Sequence, residues 1–415
     1  MTRLPEAVIL LTGSELLDGR VRDRNGYFLS ASLAEHGFRV ATEIFAGDDE
    51  RLIAAGLKQL LDLHPAVLVV CGGLGTTHDD LTTAVVAAVL RRRLWQDPDA
   101  LRMVEERTRA VCERRGVDPE TVMTQTHQQA LLPAGSRVVP PAGLAPGYIL
   151  SERETTVVVL PGVPTELEAM WPDVIAELAA SGVAPKTQRR VVRIYGVGEM
   201  QVVPALEGVA HDRVEIGVTA QLGEIAVSMT YVDEREALGE ADAIVAKLAA
   251  DLPVFSTDGR SVDEIVAETL RSRAQTVSAA ESCTGGLLAA RFTDRPGSSD
   301  YFVGAVVTYA NEAKLRLLGV PAQTLREHGA VSAETATAMA ERARQATGAT
   351  FGLATTGIAG PSGGSAEKPV GLVFVSCAGP EGTTVRRTIL PGNREAVRAA
   401  TVTAALHLLR ESLAP

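Results

Sequence analysis

Val67-Leu68-Val69-Val70-Cys71-Gly72-Gly73-Leu74-Gly75-Thr76-Thr77-His78-Asp79-Asp80 sets an unbroken apolar run against a glycine-rich loop that ends in two acids. Four apolar residues in a row, with no polar alternation, describe a strand buried on both faces, as in a parallel sheet covered by helices. The glycines let backbone approach a ligand, and free N–H groups at the start of a helix favour an anion. The pattern predicts that helix over about Asp79 to Arg93. Val8-Ile9-Leu10-Leu11 runs in the same way into Gly13-Ser14-Glu15, and Thr156-Val157-Val158-Val159-Leu160 runs into Pro161-Gly162-Val163-Pro164-Thr165-Glu166. Helices over Asn25 to Gly37 and Ala100 to Gly116 complete an alternating α/β pattern. Three loops thus leave three strands at the carboxyl edge of one sheet, where open α/β folds bind ligands. Each loop alone is equally well read as a tight turn, with Asp79 as a helix cap.

A chain of 415 residues, at roughly 150 per domain, makes two or three domains. Apolar residues make up 46% and aromatics 4%, which suits close helix–sheet packing and leaves few aromatic platforms. The formal charge of −11 opposes a general affinity for nucleic acid or an anionic membrane surface. The four cysteines are far apart with no C-x-x-C pair, which fits a reducing cytoplasm and indicates neither a zinc site nor a disulfide framework. The amino terminus reads as a first strand rather than a signal peptide, and no run approaches the roughly 20 apolar residues of a membrane span.

Val183-Ala184-Pro185-Lys186 reads as a linker, after which the texture changes to short strands over Arg190 to Tyr195, Val214 to Val218 and Ile225 to Tyr231 and one amphipathic helix from Glu234 to Ala250. Ser261-Val262-Asp263-Glu264 fits a capping box that opens a third region. The expected fold class is α/β: two α/β domains, residues 1–182 and 258–415, joined by a small α+β module over 186–254.

In the third region Ala280-Glu281-Ser282-Cys283-Thr284-Gly285-Gly286 is a strand-to-helix turn whose N–H groups, including those of Gly285 and Gly286, are placed to hold an oxyanion or phosphate. The residues leave a second reading open: Ser282 or Thr284 caps the helix and Cys283 is a small core residue. Three more turns carry chemistry: Pro296-Gly297-Ser298-Ser299-Asp300, Thr308-Tyr309-Ala310-Asn311-Glu312-Ala313-Lys314, and Thr355-Thr356-Gly357-Ile358-Ala359-Gly360-Pro361. A serine needs a base, and a lysine serves if burial lowers its pKa. Lys314 is placed for that role or for that of a solvated helix residue. Gly392-Asn393-Arg394-Glu395-Ala396-Val397-Arg398 spaces two arginines one helical turn apart, as a phosphate clamp or as surface charges.

These strings resemble the CinA family. G-G-L-G-T-T-H-D-D-L-T, G-S-E-L-L and P-G-V-P-T-E-L-E-A-M look like its molybdopterin-binding-type domain, and A-E-S-C-T-G-G, G-S-S, V-T-Y-A-N-E-A-K and T-G-I-A-G-P-S-G-G-S-A-E-K-P-V-G look like its carboxyl-terminal amidase domain. For the first domain the resemblance implies a nucleotide site, with ADP-ribose as ligand. Glu15, Asp79 and Asp80 are then its polar groups, Gly73 and Gly75 make room for phosphate, and Asp79 and Asp80 hold a divalent metal (Mg, Mn or Co). Ser14 stands where the family has Asp, and Pro140–Gly147 lacks the family's Asn and Thr. For the third domain the resemblance implies a metal-independent Ser/Lys hydrolase that deamidates nicotinamide mononucleotide, a pyridine nucleotide. Ser299 is its nucleophile, Lys314 the base, Ser282 a relay or oxyanion partner, Tyr309, Asn311, Thr356 and Gly357 substrate contacts, and Arg398 a phosphate contact. The middle module is expected to be KH-like, and the assembly a homodimer or higher homo-oligomer. The family's competence association also admits a scaffold role, and its first domain taken alone a molybdopterin-binding protein.

Overall fold

The computed structural model describes residues 4–183 and 186–414, so Ala184 and Pro185 of the expected linker lie outside the described residues. The apolar run becomes the strand Val67–Cys71, with every residue buried. It lies inside a six-stranded sheet, between the parallel strands Glu6–Thr12 and Thr155–Leu160. Arg39–Ala46 extends the sheet in parallel on one side, and Gly147–Glu152 and Arg137–Val139 extend it antiparallel on the other. Because side chains alternate across a strand, Leu68 and Val70 enter one core with Val8, Leu10, Val157 and Val159, while Val67 and Val69 enter another with Ile9, Leu11, Val158 and Leu160. Each such side chain contributes roughly 1.5–3 kcal/mol by burial. A continuous apolar sequence is therefore what a strand with two buried faces requires.

The helix after the glycine loop spans Thr82–Val89, shorter at both ends than Asp79 to Arg93. The loop spends its acids on its own turn, Asp80 accepting the Thr77 N–H at 2.8 Å, and Arg91 leaves the helical region at φ 55°. Gly72 has φ 113°, and a Cβ there would stand 2.3 Å from the Thr12 carbonyl oxygen. Only glycine lets these two loops meet.

The capping box forms as expected: Ser261 Oγ accepts the Glu264 N–H at 3.3 Å, and the Glu264 carboxylate accepts the Ser261 N–H at 2.7 Å. A five-stranded sheet follows, in the order Phe302–Val307, Val277–Glu281, Phe351–Gly357, Leu372–Gly379, Gly382–Ile389; the first three are mutually parallel and the last two antiparallel. The helix Arg394–Ser412 packs Val402, Leu406 and Leu409 against Val277, Leu353 and Val375, and Met339 and Ala340 cover the other face with Ala280, Ala354 and Ala378. Glu215–Gln221, Glu224–Val232, Thr187–Tyr195 and Val254–Ser256 form a smaller four-stranded sheet in that order. The fold is thus mixed α/β.

The chain forms two compact units, one of residues 1–189, 210–215 and 229–241, the other of residues 190–209, 216–228 and 242–415. Among the described residues no helix is long and apolar enough to cross a membrane.

Candidate functional site

In the first unit the three loops do converge. A cavity of about 680 Å³ is lined by Glu15, Gly73, Gly75, Asp79 and Asp80, all five residues expected there, together with Gly13 and Gly162 from the flanking loops. Sequence reading missed three contributors. Asn25 donates its amide to the Gly162 carbonyl at 2.7 Å, Asp48 faces Ser14, and Glu166 is half-buried with its carboxyl raised by that burial. Nothing in their spacing announces them, because each comes from a different helix or loop end. Ser14 and Asp48 exchange bonds, the Ser14 N–H donating to Asp48 at 2.8 Å and the Asp48 N–H to Ser14 Oγ at 3.0 Å. Ser14 therefore ties two loops together.

The donor set does not fit a divalent metal. Such an ion takes several hard oxygens, yet Asp79 is exposed and Asp80 is engaged by Thr77. The Thr77 hydroxyl also holds the Asp79 carboxyl below its usual range. Among the described residues no group of three or more His, Cys, Asp or Glu is gathered to hold a metal ion.

In the second unit the turn after the strand Val277–Glu281 holds the ionisable groups out of water. Lys314, in the short helix Asn311–Arg316, is 1% exposed, and its pKa is lowered by burial. Its Nζ stands 3.0 Å from Ser282 Oγ, 2.8 Å from the Thr308 carbonyl oxygen and 3.3 Å from that of Tyr309. A neutral amine has two N–H bonds and one lone pair. The two carbonyls can only accept, so they take the N–H bonds, and the lone pair is left for the one partner able to donate, the Ser282 hydroxyl. Burial favours this neutral state, in which the lysine is a base beside a serine.

Glu281, fully buried, fills the start of the next helix. Its carboxylate accepts the N–H groups of Gly286 at 2.9 Å, Leu288 at 3.1 Å and Ala289 at 2.9 Å. This corrects the expectation that the Gly285 and Gly286 N–H groups are open to an oxyanion or phosphate, since the Gly285 N–H also turns inward, to the Ser282 carbonyl at 3.2 Å. An acid next to the serine was visible in the sequence; its destination was not. Cys283 is buried and its thiol is pushed up to about 12 by desolvation, so it is a protonated packing group at neutral pH. It packs with Ala359, Val373 and Val397.

Ser299 is not brought to Lys314 within the chain. It lies in the single turn Ser298–Asp300, before the strand Phe302–Val307, and the Tyr301 carbonyl accepts the Val277 N–H at the amino edge of the sheet. Ser282 and Lys314 lie at the carboxyl edge. Six residues at about 3.3 Å each separate the two ends by roughly 20 Å. The lysine is paired with Ser282 instead, because both follow the carboxyl ends of adjacent parallel strands, where the Thr308 N–H reaches the Glu281 carbonyl at 2.7 Å.

The expected substrate contacts divide. Tyr309 is 58% exposed, and its hydroxyl accepts from Arg394 at 2.6 Å; Asn311 is exposed at the start of the lysine helix. Thr356 is fully buried and donates to the Ala330 carbonyl at 2.7 Å, so it is spent inside the fold. Gly357 lies against the next strand, where a Cβ would stand 2.8 Å from the Leu372 carbonyl oxygen. Arg398 and Arg394 line a cavity of about 1010 Å³ with Leu287, Ala359, Pro361 and Val370.

Comparison with known proteins gives matches along nearly the whole chain. The family described as CinA C-terminal domain matches residues 259–413, and that described as probable molybdopterin binding domain matches residues 8–180. A CinA-like protein of Mycobacterium tuberculosis is 41% identical, over 98% of this chain and 97% of its own length. One of Mycolicibacterium gilvum is 42% identical, over 98% of each. Among solved structures, the competence/damage inducible protein CihA from Agrobacterium tumefaciens is 42% identical over 37% of this chain and 94% of that one, with a TM-score of 0.35.

Proposed function

The chain belongs to the CinA family, and from that premise we propose that its carboxyl-terminal sheet carries an amidase that converts nicotinamide mononucleotide to nicotinate mononucleotide and ammonia. The observation that supports this most is the buried Lys314–Ser282 pair at 3.0 Å, which needs no metal to generate a nucleophile. Ser282 Oγ attacks the carboxamide carbon as Lys314 takes the hydroxyl proton. The C–N bond then breaks, the proton passes from Lys314 to the departing nitrogen, and ammonia leaves an ester on Ser282. Water, deprotonated by the same lysine, cleaves that ester to the carboxylate and restores the serine. Developing negative charge on the carbonyl oxygen requires a donor. Among the described residues the N–H groups of Cys283 and Thr284 carry no backbone hydrogen bond and follow the serine directly.

Ser299 is able to act only from a second copy. The strand that separates it from Lys314 is the edge strand of its sheet and leaves Val303 and Val307 exposed, a surface suited to the homodimer expected of the family. In the first unit the cavity with its glycine loops supports binding of a nucleotide such as ADP-ribose, with hydrolysis slow or absent for lack of a metal set.

The test is incubation of the purified chain with nicotinamide mononucleotide, measuring ammonia and the carboxylate product together. Stoichiometric release of both is the expected result. No release from a folded chain overturns the proposal.

A further inference from the structure

Arg394 and Arg398 share one face of a helix, yet the structure uses them differently. Arg398 is half-buried and turned into the catalytic turn: Nε donates to the Cys283 carbonyl at 3.1 Å and Nη2 to the Thr284 carbonyl at 2.7 Å. Arg394 is exposed and bridges two loops at the cavity, donating to the Gly360 carbonyl at 2.9 Å and the Tyr309 hydroxyl at 2.6 Å. We propose that Arg398 is a positioning residue that holds the peptide planes following Cys283 and Thr284, in the turn that begins at Ser282, and that Arg394 is the cation that reads the substrate's phosphate monoester. This rests on the amidase reading above and corrects the expectation that Arg398 contacts phosphate.

The reason is how a guanidinium spends its donors. Its rigid fork fits two acceptors at once, and a bond from a charged donor is about twice as strong as a neutral one. Arg398 commits two of its nitrogens to successive carbonyls. The Cys283 carbonyl belongs to the peptide unit whose N–H is that of Thr284, and the Thr284 carbonyl to the unit whose N–H is that of Gly285. Fixing both carbonyls orients both N–H groups and polarises them in the same sense. Gly285, at φ 58°, has a backbone conformation that the rest of the turn must impose, and its missing Cβ would stand 3.4 Å from Arg398 Nη2. A phosphate binding Arg398 through this fork would have to displace two hydrogen bonds that hold the nucleophile's loop. Arg394 reaches a partner on an exposed, rotatable tyrosine and is free to exchange it for an anion.

The experiment compares Arg398→Lys, Arg398→Ala, Arg394→Lys and Arg394→Ala in the full-length chain, with nicotinamide mononucleotide and with nicotinamide riboside, which lacks the phosphate. The Arg398 variants are expected to lose at least about 100-fold in kcat, as for loss of an oxyanion donor, with KM within about threefold and the preference for the phosphorylated substrate retained. The Arg394 variants are expected to raise KM about tenfold or more and to lose most of that preference. Loss of the preference in the Arg398 variants, with kcat intact, overturns the proposal. Hydrogen exchange of the amides from Ser282 to Leu288 supplies a readout independent of turnover. Faster exchange is expected in Arg398→Lys and not in Arg394→Lys. Equal exchange in the two overturns the positioning role, even if the wild-type chain releases no ammonia.

Discussion

The two candidate sites start from the same local plan, a parallel strand that ends in a glycine turn before a helix, and they treat ionisable groups in opposite ways. At the first, Asp79 stands in water and Asp80 is partly exposed; at the second, Glu281 and Lys314 are sealed in at 0% and 1% exposure. The Thr77 hydroxyl holds the exposed Asp79 carboxyl below its usual range, so it stays a charged group open to a ligand. A desolvated lysine has its pKa lowered below the ordinary 10.5, the direction that makes it a better-populated base. The glycine loop supplies access in both cases. Burial beside a serine supplies reactivity in one.

The largest effect expected from this difference is on Lys314. Lys314→Met and Ser282→Ala should each reduce ammonia release by about 1,000-fold or more, and the double variant should be scarcely worse than either, because the pair acts as a unit. Losses that multiply would break the comparison. Ser299→Ala should retain activity. If it is inactive, mixing it with Lys314→Met chains decides whether a second copy supplies the serine: restored turnover places Ser299 opposite the partner's lysine and displaces Ser282 as the attacking group.

Next in size is the pH dependence. The active lysine is neutral, so kcat should rise with pH through a limb whose midpoint lies below the ordinary lysine value of 10.5, the direction that burial imposes. That limb should be missing from the residual rate of Lys314→Met. A midpoint at or above 10.5 would mean that the lysine is solvated in the working enzyme.

A smaller effect concerns a third sealed group. His407 is fully buried, stacked on Tyr195 with ring centres 3.6 Å apart and bonded to Glu224 at 2.7 Å; burial lowers its pKa more than Glu224 raises it. A group whose folded pKa is depressed favours the folded state above its unfolded value, and that stability is lost as pH falls through the folded one. The Tm should therefore fall as pH is lowered below 6.5, and less steeply in His407→Phe, by a few degrees at about 2–4 °C per kcal/mol. Equal slopes would remove His407 from the acid response.

The smallest effects are expected where the contrast predicts none. Cys283→Ala should keep ammonia release within about threefold, since the thiol, pushed up to about 12, is not ionised at neutral pH and packs with Ala359, Val373 and Val397. Asp79→Ala and Asp80→Ala should weaken ADP-ribose binding, measured by calorimetry, and leave ammonia release unchanged.

Much of this was legible in order along the chain. Four consecutive apolar residues at Val67–Val70 announced a strand with two buried faces, and the Ser261–Glu264 capping box appeared as written. The glycine turns marked where loops would gather, and all five residues expected at the first cavity line it. The serine–lysine partnership was legible in kind and not in pairing. Ser282 and Ser299 stand in similar turns, and spacing along the chain carries no information about which edge of the sheet each turn occupies. Thr356 and Gly357 looked like loop residues open to a ligand, while Ala330 and the strand Leu372–Gly379 consume them.

The alternation of strands and helices is written along the chain, because periodicity and glycine placement act over a few residues, where backbone sterics and side-chain direction decide. Which charges lose their water depends on packing between distant segments. The parallel pairing of Val277–Glu281 with Phe302–Val307 brings Ser282 and Lys314 together across 32 positions, and leaves Ser299 at the far edge. Proton affinity follows desolvation, and desolvation belongs to the packed neighbourhood of a group, not to its neighbours in sequence.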